Sequence, residues 1–290
     1  MEHILLIDVK ETLEVLTETH FPGRLLSNQI DEDIDEYRSS SNRPVCNDMI
    51  SVEHIKWAIK SFKPYKSPGV DGIFPALLQE AVDLVSKILC VFYKFSLKSG
   101  YIPKDWRRGK IVFIPKVGNR PNDIPKSFRP ITLSSFLLKT MELLIDRNLK
   151  DTYLRISPLH PRQFAYQEGK STTKAAKSTV KQIQKTMNNG KIVVGLSIDI
   201  EGAFDNTNYN VILRGLRRKQ VDESVINWID NMLRCSTELA GESILFKPVK
   251  GCPQGEILSP LLWTIVVDEV LVILNDGGFK TDGFADDFSF

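Results

Sequence analysis

Three aspartates offer the clearest chemistry in this chain. Asp286 and Asp287 are adjacent in GFADDF, and Asp199 closes the apolar run IVVGLSID. Two neighbouring carboxylates in an apolar frame repel each other and resist burial unless positive charge compensates. If the strands carrying them are neighbours, Asp199, Asp286 and Asp287 converge into a set of hard oxygen ligands. Mg²⁺ suits such a set, because it takes a few carboxylates and fills its shell with water and substrate phosphates. A pair of such ions clamps the attacking and leaving oxygens of an in-line phosphoryl transfer. Taken alone, an Ala-Asp-Asp run is more often two solvated aspartates at a hairpin turn.

The charge distribution points the same way. The 290 residues carry a net charge of only +2, yet residues 1–50 hold −7, 51–100 +3, 101–191 +13 and 192–290 −7. A basic middle followed by an aspartate-rich end suggests a polyanion surface beside a cation site; a pair of solvated charged faces is the plainer alternative. The four cysteines and four histidines show no CxxC or HxxxH spacing, so structural zinc is not expected and thiols are expected to be reduced. No apolar run reaches the roughly 18 residues of a membrane span, and the acidic start lacks the marks of a signal peptide.

The elements that must position these residues follow from periodicity. DVKETLEVLTETHF reads as a helix, followed by an acidic, serine-rich linker, DEDIDEYRSSSNRPVC. SVEHIKWAIKSF is an amphipathic helix capped by Ser51, with Val52, Ile55, Ile59 and Phe62 on one stripe. PALLQEAVDLVSKILCVFYKFSLKSG reads as one long helix stopping at Gly100. KIVFIPK is a strand, VGNRPNDIPKSFRPITL a loop, and FLLKTMELLIDRNLKDTY a helix. Between Ser171 and Met187 a helix carries Ala176, Val180, Ile183 and Met187 on one stripe. Lys174, Lys177, Lys181 and Lys185 sit on another, a candidate nucleic-acid contact that is more commonly a solvated face. IVVGLSID reads as a buried strand, NYNVILRGLRRKQ and SVINWIDNMLR as helices, and ESILFKPVKG as strand. SPLLWTIVVDEVLVIL is a central helix, with Ser259 as cap and Pro260 in its first turn, and GFADDFSF is a hairpin.

SIDIEGAFDN, KGCPQGEILSP and GFADDF occur in this order, about 55 and 30 residues apart. Together with KSPGVDGIFPALLQ, WRRGKIVFIPK, SFRPITLSSFLLKTMELLIDRNL and HPRQFAYQEGKST, they resemble the reverse transcriptases of non-LTR (LINE-type) retrotransposons. The resemblance covers roughly Ser51 to Phe290, and TETHFPG looks like the segment preceding that domain. Seven ordered blocks are far more specific than any one of them.

The resemblance implies an α+β right-hand polymerase fold: an N-terminal extension and acidic linker over 1–50, mainly fingers over 51–191, and an incomplete palm with an antiparallel sheet over 192–290. It implies template-directed DNA synthesis on RNA, with RNA template, DNA primer and dNTPs as partners. Two Mg²⁺ ions are the implied cofactors, with Mn²⁺ as a substitute. Asp199 and Asp286 become the metal pair, the Ile200 carbonyl an additional ligand and Asp287 a supporting carboxylate. Phe204 becomes the ring that leaves no room for a 2′-hydroxyl. Gln254 and Gly255 line the nucleotide site, and Lys116 and Arg129, with Lys110 as a third, reach the triphosphate. The setting implied is intracellular, nuclear or cytoplasmic, without a membrane.

Three departures from the family pattern stand out. Phe284 replaces the commoner Tyr before Asp-Asp. Glu256 follows Pro-Gln-Gly where small residues are usual, and is expected to place negative charge near the triphosphate. The chain also stops at Phe290, so the domain is expected to be interrupted there, with thumb and endonuclease segments in the full-length parent. This chain by itself is expected to bind nucleic acid weakly and extend primers poorly. A non-catalytic nucleic-acid-binding relic is the alternative, and a two-metal nuclease is weaker still.

Overall fold

Ser51 does cap its helix, accepting from the His54 N–H at 3.1 Å, and the stripe behind it places Ile55 and Ile59 in the core. The computed structural model describes residues 8–26, 48–116, 118, 123–239 and 245–289. The expected acidic linker DEDIDEYRSSSNRPVC lies outside the described residues. Helix α1 (Val9–His20) leads to a two-residue strand β1 (Leu25–Leu26). Helices α2 (Val52–Ser61), α3 (Pro75–Glu80) and α4 (Val82–Ser99) follow. The expected long helix is therefore two, broken at Ala81 (φ −98°, ψ 17°), and it ends on Gly100 in the left-handed conformation.

Strand β2 (Gly109–Pro115) pairs antiparallel with β3 (Phe128–Leu133). The segment expected to be a loop thus ends in a strand, Phe128–Leu133. Pro130 explains the misreading, since proline cannot donate to a ladder; it is tolerated because β3 lies at the edge of its sheet. Helix α5 (Phe136–Asn148) ends in a π-helical turn (Leu149–Tyr153) and the short α6 (Leu154–Ile156), and α7 (Thr172–Asn188) precedes β4 (Ser197–Asp199). Next come α8 (Ala203–Asn206), α9 (Tyr209–Arg218), α10 (Glu223–Leu233), β5 (Thr237–Leu239) and β6 (Leu245–Lys247). Helix α11 (Ser259–Asp276) and the hairpin β7 (Asp282–Phe284) and β8 (Asp287–Ser289) complete the described chain.

Two sheets result. The larger runs β1-β6-β5-β2-β3 and takes β2 and β6 from the expected strands KIVFIPK and ESILFKPVKG; the smaller runs β4-β8-β7 and is antiparallel throughout. The main apolar core joins α2, α4, α5, α9, α10 and α11, with Trp228, Tyr93 and Ile145 fully enclosed. A smaller cluster of Ala203, Trp263, Val267, Leu271 and Phe288 lies under the hairpin. A third, Ile111, Leu239 and Phe246 with Leu13 and Phe21, seats α1 on the large sheet.

One expectation about burial is corrected. Only Ser197–Asp199 of IVVGLSID form a strand, and that strand is exposed, as are Ile192 (93%) and Val194 (88%) ahead of it. Among the described residues β4 pairs only with β8, which leaves its other edge without a strand. Helix α7 has no buried residue. It docks through its polar edge, where Ser178, Thr179 and Gln182 donate to Asp282, and Val180 and Met187 stay exposed.

Candidate active site

In the hairpin the short strands β7 and β8 pair antiparallel across a two-residue turn, Ala285–Asp286. Ala285 sits there at φ +55°, a left-handed conformation costing a residue with a Cβ roughly 1–2 kcal/mol. The buried Trp263 indole N–H holds it, donating to the Ala285 carbonyl at 3.0 Å. Asp286 is the second turn residue, and Asp287 opens β8. Across β8, Asp199 is the register partner of Asp287, and the Ile200 N–H donates to the Asp286 carbonyl at 3.0 Å. The three aspartates therefore share one end of the small sheet. Burial, and then the charges of Asp286 and Asp199, raise the Asp287 carboxyl above its ordinary range.

A cleft of about 1290 Å³ opens in front of this end. Asp199, Ile200 and Asp286 line it, as do Phe204, Gln254, Gly255, Lys116 and Arg129. Asp287, Lys110, Lys174, Lys177, Lys181 and Lys185 do not line it. Lys110 sits at the far end of β2, six residues from Lys116, or roughly 20 Å at about 3.3 Å per residue. The four lysines of α7 are exposed, and Lys174 donates to the Gly169 carbonyl.

Gln254 is fixed at both ends. Its carbonyl accepts from the Thr132 N–H at 2.6 Å, and its Nε2 donates to Asp205 Oδ1 at 2.7 Å. Gly255 is required by its own backbone, since φ is +107° and a Cβ there would stand 2.5 Å from the Thr132 carbonyl oxygen. Phe204 packs on Trp263 with centroids 5.8 Å apart and meets Tyr166 edge-on at 6.3 Å.

Glu256 is not presented to the cleft as a free charge. It is 7% exposed, and its carboxylate accepts from the Ser134 hydroxyl at 2.7 Å. Beside it lies the fully buried Glu142, whose Oε2 accepts from the N–H groups of Ile257 and Leu258 at 2.8 and 3.2 Å. Burial, and secondarily the Glu256 charge, hold the Glu142 carboxyl well above the usual range. Glu142 thus satisfies backbone donors just before α11. Ser259, expected as the cap, instead donates its hydroxyl to the Pro253 carbonyl.

Sequence reasoning passed over several residues of this cleft. Tyr166 lines it, and burial followed by the Asp286 charge raises its phenol. Lys126 pairs with Glu201 on the rim and holds that exposed carboxylate below its usual range. His20 and Asp205 form a pair described below. Tyr166, His20 and Asp205 all lay within quoted blocks; what no spacing could show is that His20 and Asp205 meet, because 185 positions separate them.

The two cleft-facing carboxylates and the Ile200 carbonyl fit a cation that takes one or two carboxylates and leaves the rest of its shell to water and phosphate. Like-charge crowding on Asp287 is what such a cation relieves. Among the described residues no group of three or more Asp, Glu, His or Cys side chains is placed to hold a metal ion. Among the described residues no helix is long and apolar enough to cross a membrane.

Residues 114–290 match the family described as reverse transcriptase (RNA-dependent DNA polymerase). The chain is 31% identical over 247 residues to the Pol polyprotein of the type-1 retrotransposable element R1 of Bradysia coprophila, covering 84% of this chain and 24% of that protein. It is 29% identical over 255 residues to the probable RNA-directed DNA polymerase from transposon BS of Drosophila melanogaster, covering 85% and 27%. The chain therefore spans about a quarter of the length of these curated relatives. Among solved structures, apo telomerase from Candida tropicalis shares the fold with a TM-score of 0.50 at 15% identity, over 71% of this chain and 44% of that one.

Proposed function

Since the chain belongs to the reverse transcriptase (RNA-dependent DNA polymerase) family, with relatives in non-LTR retrotransposons, we propose that it carries the nucleotide-transfer cleft of an RNA-directed DNA polymerase. In this reading RNA is the template, DNA the primer and a dNTP the substrate. The primer 3′-hydroxyl oxygen bonds to the α-phosphorus, and the bond from that phosphorus to the bridging oxygen breaks, releasing pyrophosphate. The observation that carries the reading is the cleft itself, whose lining includes Asp199 and Asp286, the cations Lys116 and Arg129, and the fixed carboxamide of Gln254.

Asp199 and Asp286, with the Ile200 carbonyl, would hold the divalent ions, Mg²⁺ or in its place Mn²⁺; when bound these supply charge neutralisation on the phosphates and an activated 3′-hydroxyl. Asp287 supports them from across the β4–β8 pair. Arg129 offers a planar fork and Lys116 a point charge to the triphosphate oxygens. Phe204, braced by Trp263 and Tyr166, presents a ring that excludes a ribose 2′-hydroxyl by clash. Lys110 and the α7 lysines lie outside the cleft and would contribute through the nucleic-acid backbone. Primer extension on an RNA template tests the reading: incorporation should require Mg²⁺ and fall at least about 100-fold with Asp286→Ala. Incorporation that survives Asp286→Ala would remove the carboxylates from the mechanism.

A further inference from the structure

Helix α1 precedes the stretch that matches the family, yet its last residue reaches the cleft. His20 is buried, and both ring nitrogens face oxygen acceptors. Nδ1 lies 3.4 Å from Asp205 Oδ2, and Nε2 lies 3.2 Å from the Pro125 carbonyl. The other Asp205 oxygen, Oδ1, accepts from Gln254 Nε2 at 2.7 Å. The Asp205 carboxylate thus stands between an imidazole and a carboxamide, one oxygen to each. That arrangement separates Asp205 from Asp199 and Asp286, because its oxygens are already taken by nitrogen groups.

Burial, not this ion pair, sets where α1 sits. Leu13 and Phe21 pack against Ile111, Leu239 and Phe246 of the large sheet, and the His20 ring lies 5.8 Å from that of Phe113. The helix delivers His20 to a fixed point, so a contact there can transmit position. A glutamine carboxamide is otherwise nearly free about its last torsion. Tying Nε2 to Asp205 fixes that torsion and leaves Oε1 as the end offered to another donor.

We propose that His20 is a positioning residue for the nucleotide site, holding the Asp205 carboxylate so that Asp205 in turn holds the Gln254 carboxamide. The link has meaning only if the cleft binds nucleotide as proposed above. Residues 9–20 are then part of the site's machinery, which is incomplete without them.

The test is equilibrium binding of a fluorescent dATP analogue with Mg²⁺ to the 290-residue chain, a readout independent of turnover. Gln254→Ala should weaken binding about tenfold, the loss expected for one well-placed hydrogen bond in a cleft. His20→Phe preserves ring volume and removes both nitrogens; it should weaken binding by a similar factor. His20→Asn keeps an amide near the Nδ1 position and should recover most of the affinity. The double variant His20→Phe/Gln254→Ala should bind no more weakly than Gln254→Ala alone, because both act on one group. A purely structural His20 would instead give losses that multiply, and that result overturns the proposal. So does unchanged affinity in His20→Phe where Gln254→Ala weakens binding. If Gln254→Ala, Lys116→Ala and Arg129→Ala all bind like the wild type, the nucleotide reading itself fails and the proposal falls with it. Circular dichroism confirms folding; if His20→Phe is unfolded, His20→Asn against His20→Leu decides the same question.

Discussion

Asp199 and Asp287 face each other across the antiparallel pair β4–β8. Like charges directly opposite on neighbouring strands are destabilising by up to about 1 kcal/mol, and the small apolar cluster around Phe288 packs against this sheet. The expected outcome is that Asp287→Asn stabilises the metal-free chain by about 0.2–1 kcal/mol, a gain that shrinks with added salt. Thermal unfolding in chelator at low and high ionic strength measures this. A loss of stability would mean that Asp287 makes a favourable contact outweighing the repulsion.

The turn that presents Asp286 depends on Trp263. Its indole N–H satisfies the Ala285 carbonyl, and its ring fills the cluster beneath the hairpin. Trp263→Phe leaves that carbonyl without its donor and should cost about 1–3 kcal/mol, with amide exchange in residues 282–289 accelerating first. Uniform acceleration across the chain would show that the hairpin is not a separate opening unit.

Asp282 gathers four donors: Arg162 Nη1 at 2.9 Å, Ser178 Oγ at 3.2 Å, Thr179 Oγ1 at 3.0 Å and Gln182 Nε2 at 2.9 Å. It is 4% exposed and is what α7 rests on. Removing one partner of a buried pair strands the other, at about 3–5 kcal/mol. Asp282→Ala should therefore release α7, seen as faster amide exchange over residues 172–188 with α9 and α10 unaffected. Retained protection in α7 would mean that another contact seats it.

Stability should also depend on pH through Glu142. Burial raises the pKa of this carboxyl in the folded chain well above the ordinary 4.5 at which an unfolded chain releases the proton. A raised folded pKa means that the contribution is fully present below about 4.5. It is lost as pH rises toward the folded value, at up to about 1.4 kcal/mol per pH unit. Glu142→Gln is neutral at every pH and keeps an acceptor for Ile257 and Leu258. Its melting temperature should match the wild type near pH 4 and exceed it increasingly toward pH 8. Parallel curves would show that Glu142 ionises without penalty.

Much of this site was legible in the sequence, for identifiable reasons. Asp199, Asp286, Gln254 and Arg129 could be read because ordered blocks mark them, and the hairpin because apolar residues alternate around a short turn. Strand β3 was hidden by Pro130, whose tolerance depends on an edge position visible only once strand order is known. The spacing of α7 showed an apolar stripe and a lysine stripe, but not that a single buried carboxylate, Asp282, receives its polar edge. Glu256 looked like a charge in the cleft until Ser134 and Glu142 took it inward. His20 and Asp205 meet through tertiary packing alone, which no local pattern encodes.

The central claim is that Asp199 and Asp286 seat the divalent ion that accompanies the nucleotide. Electron paramagnetic resonance of Mn²⁺ titrated into the chain with a dNTP tests it most directly, because free and bound Mn²⁺ differ in signal and no turnover is needed. The wild-type chain should bind Mn²⁺ in a dNTP-dependent manner. Asp199→Asn and Asp286→Asn should each weaken that binding at least about tenfold, the loss expected when one charged ligand is removed, while leaving RNA affinity unchanged. Mn²⁺ bound equally well by the double variant would contradict the claim and place the ion elsewhere.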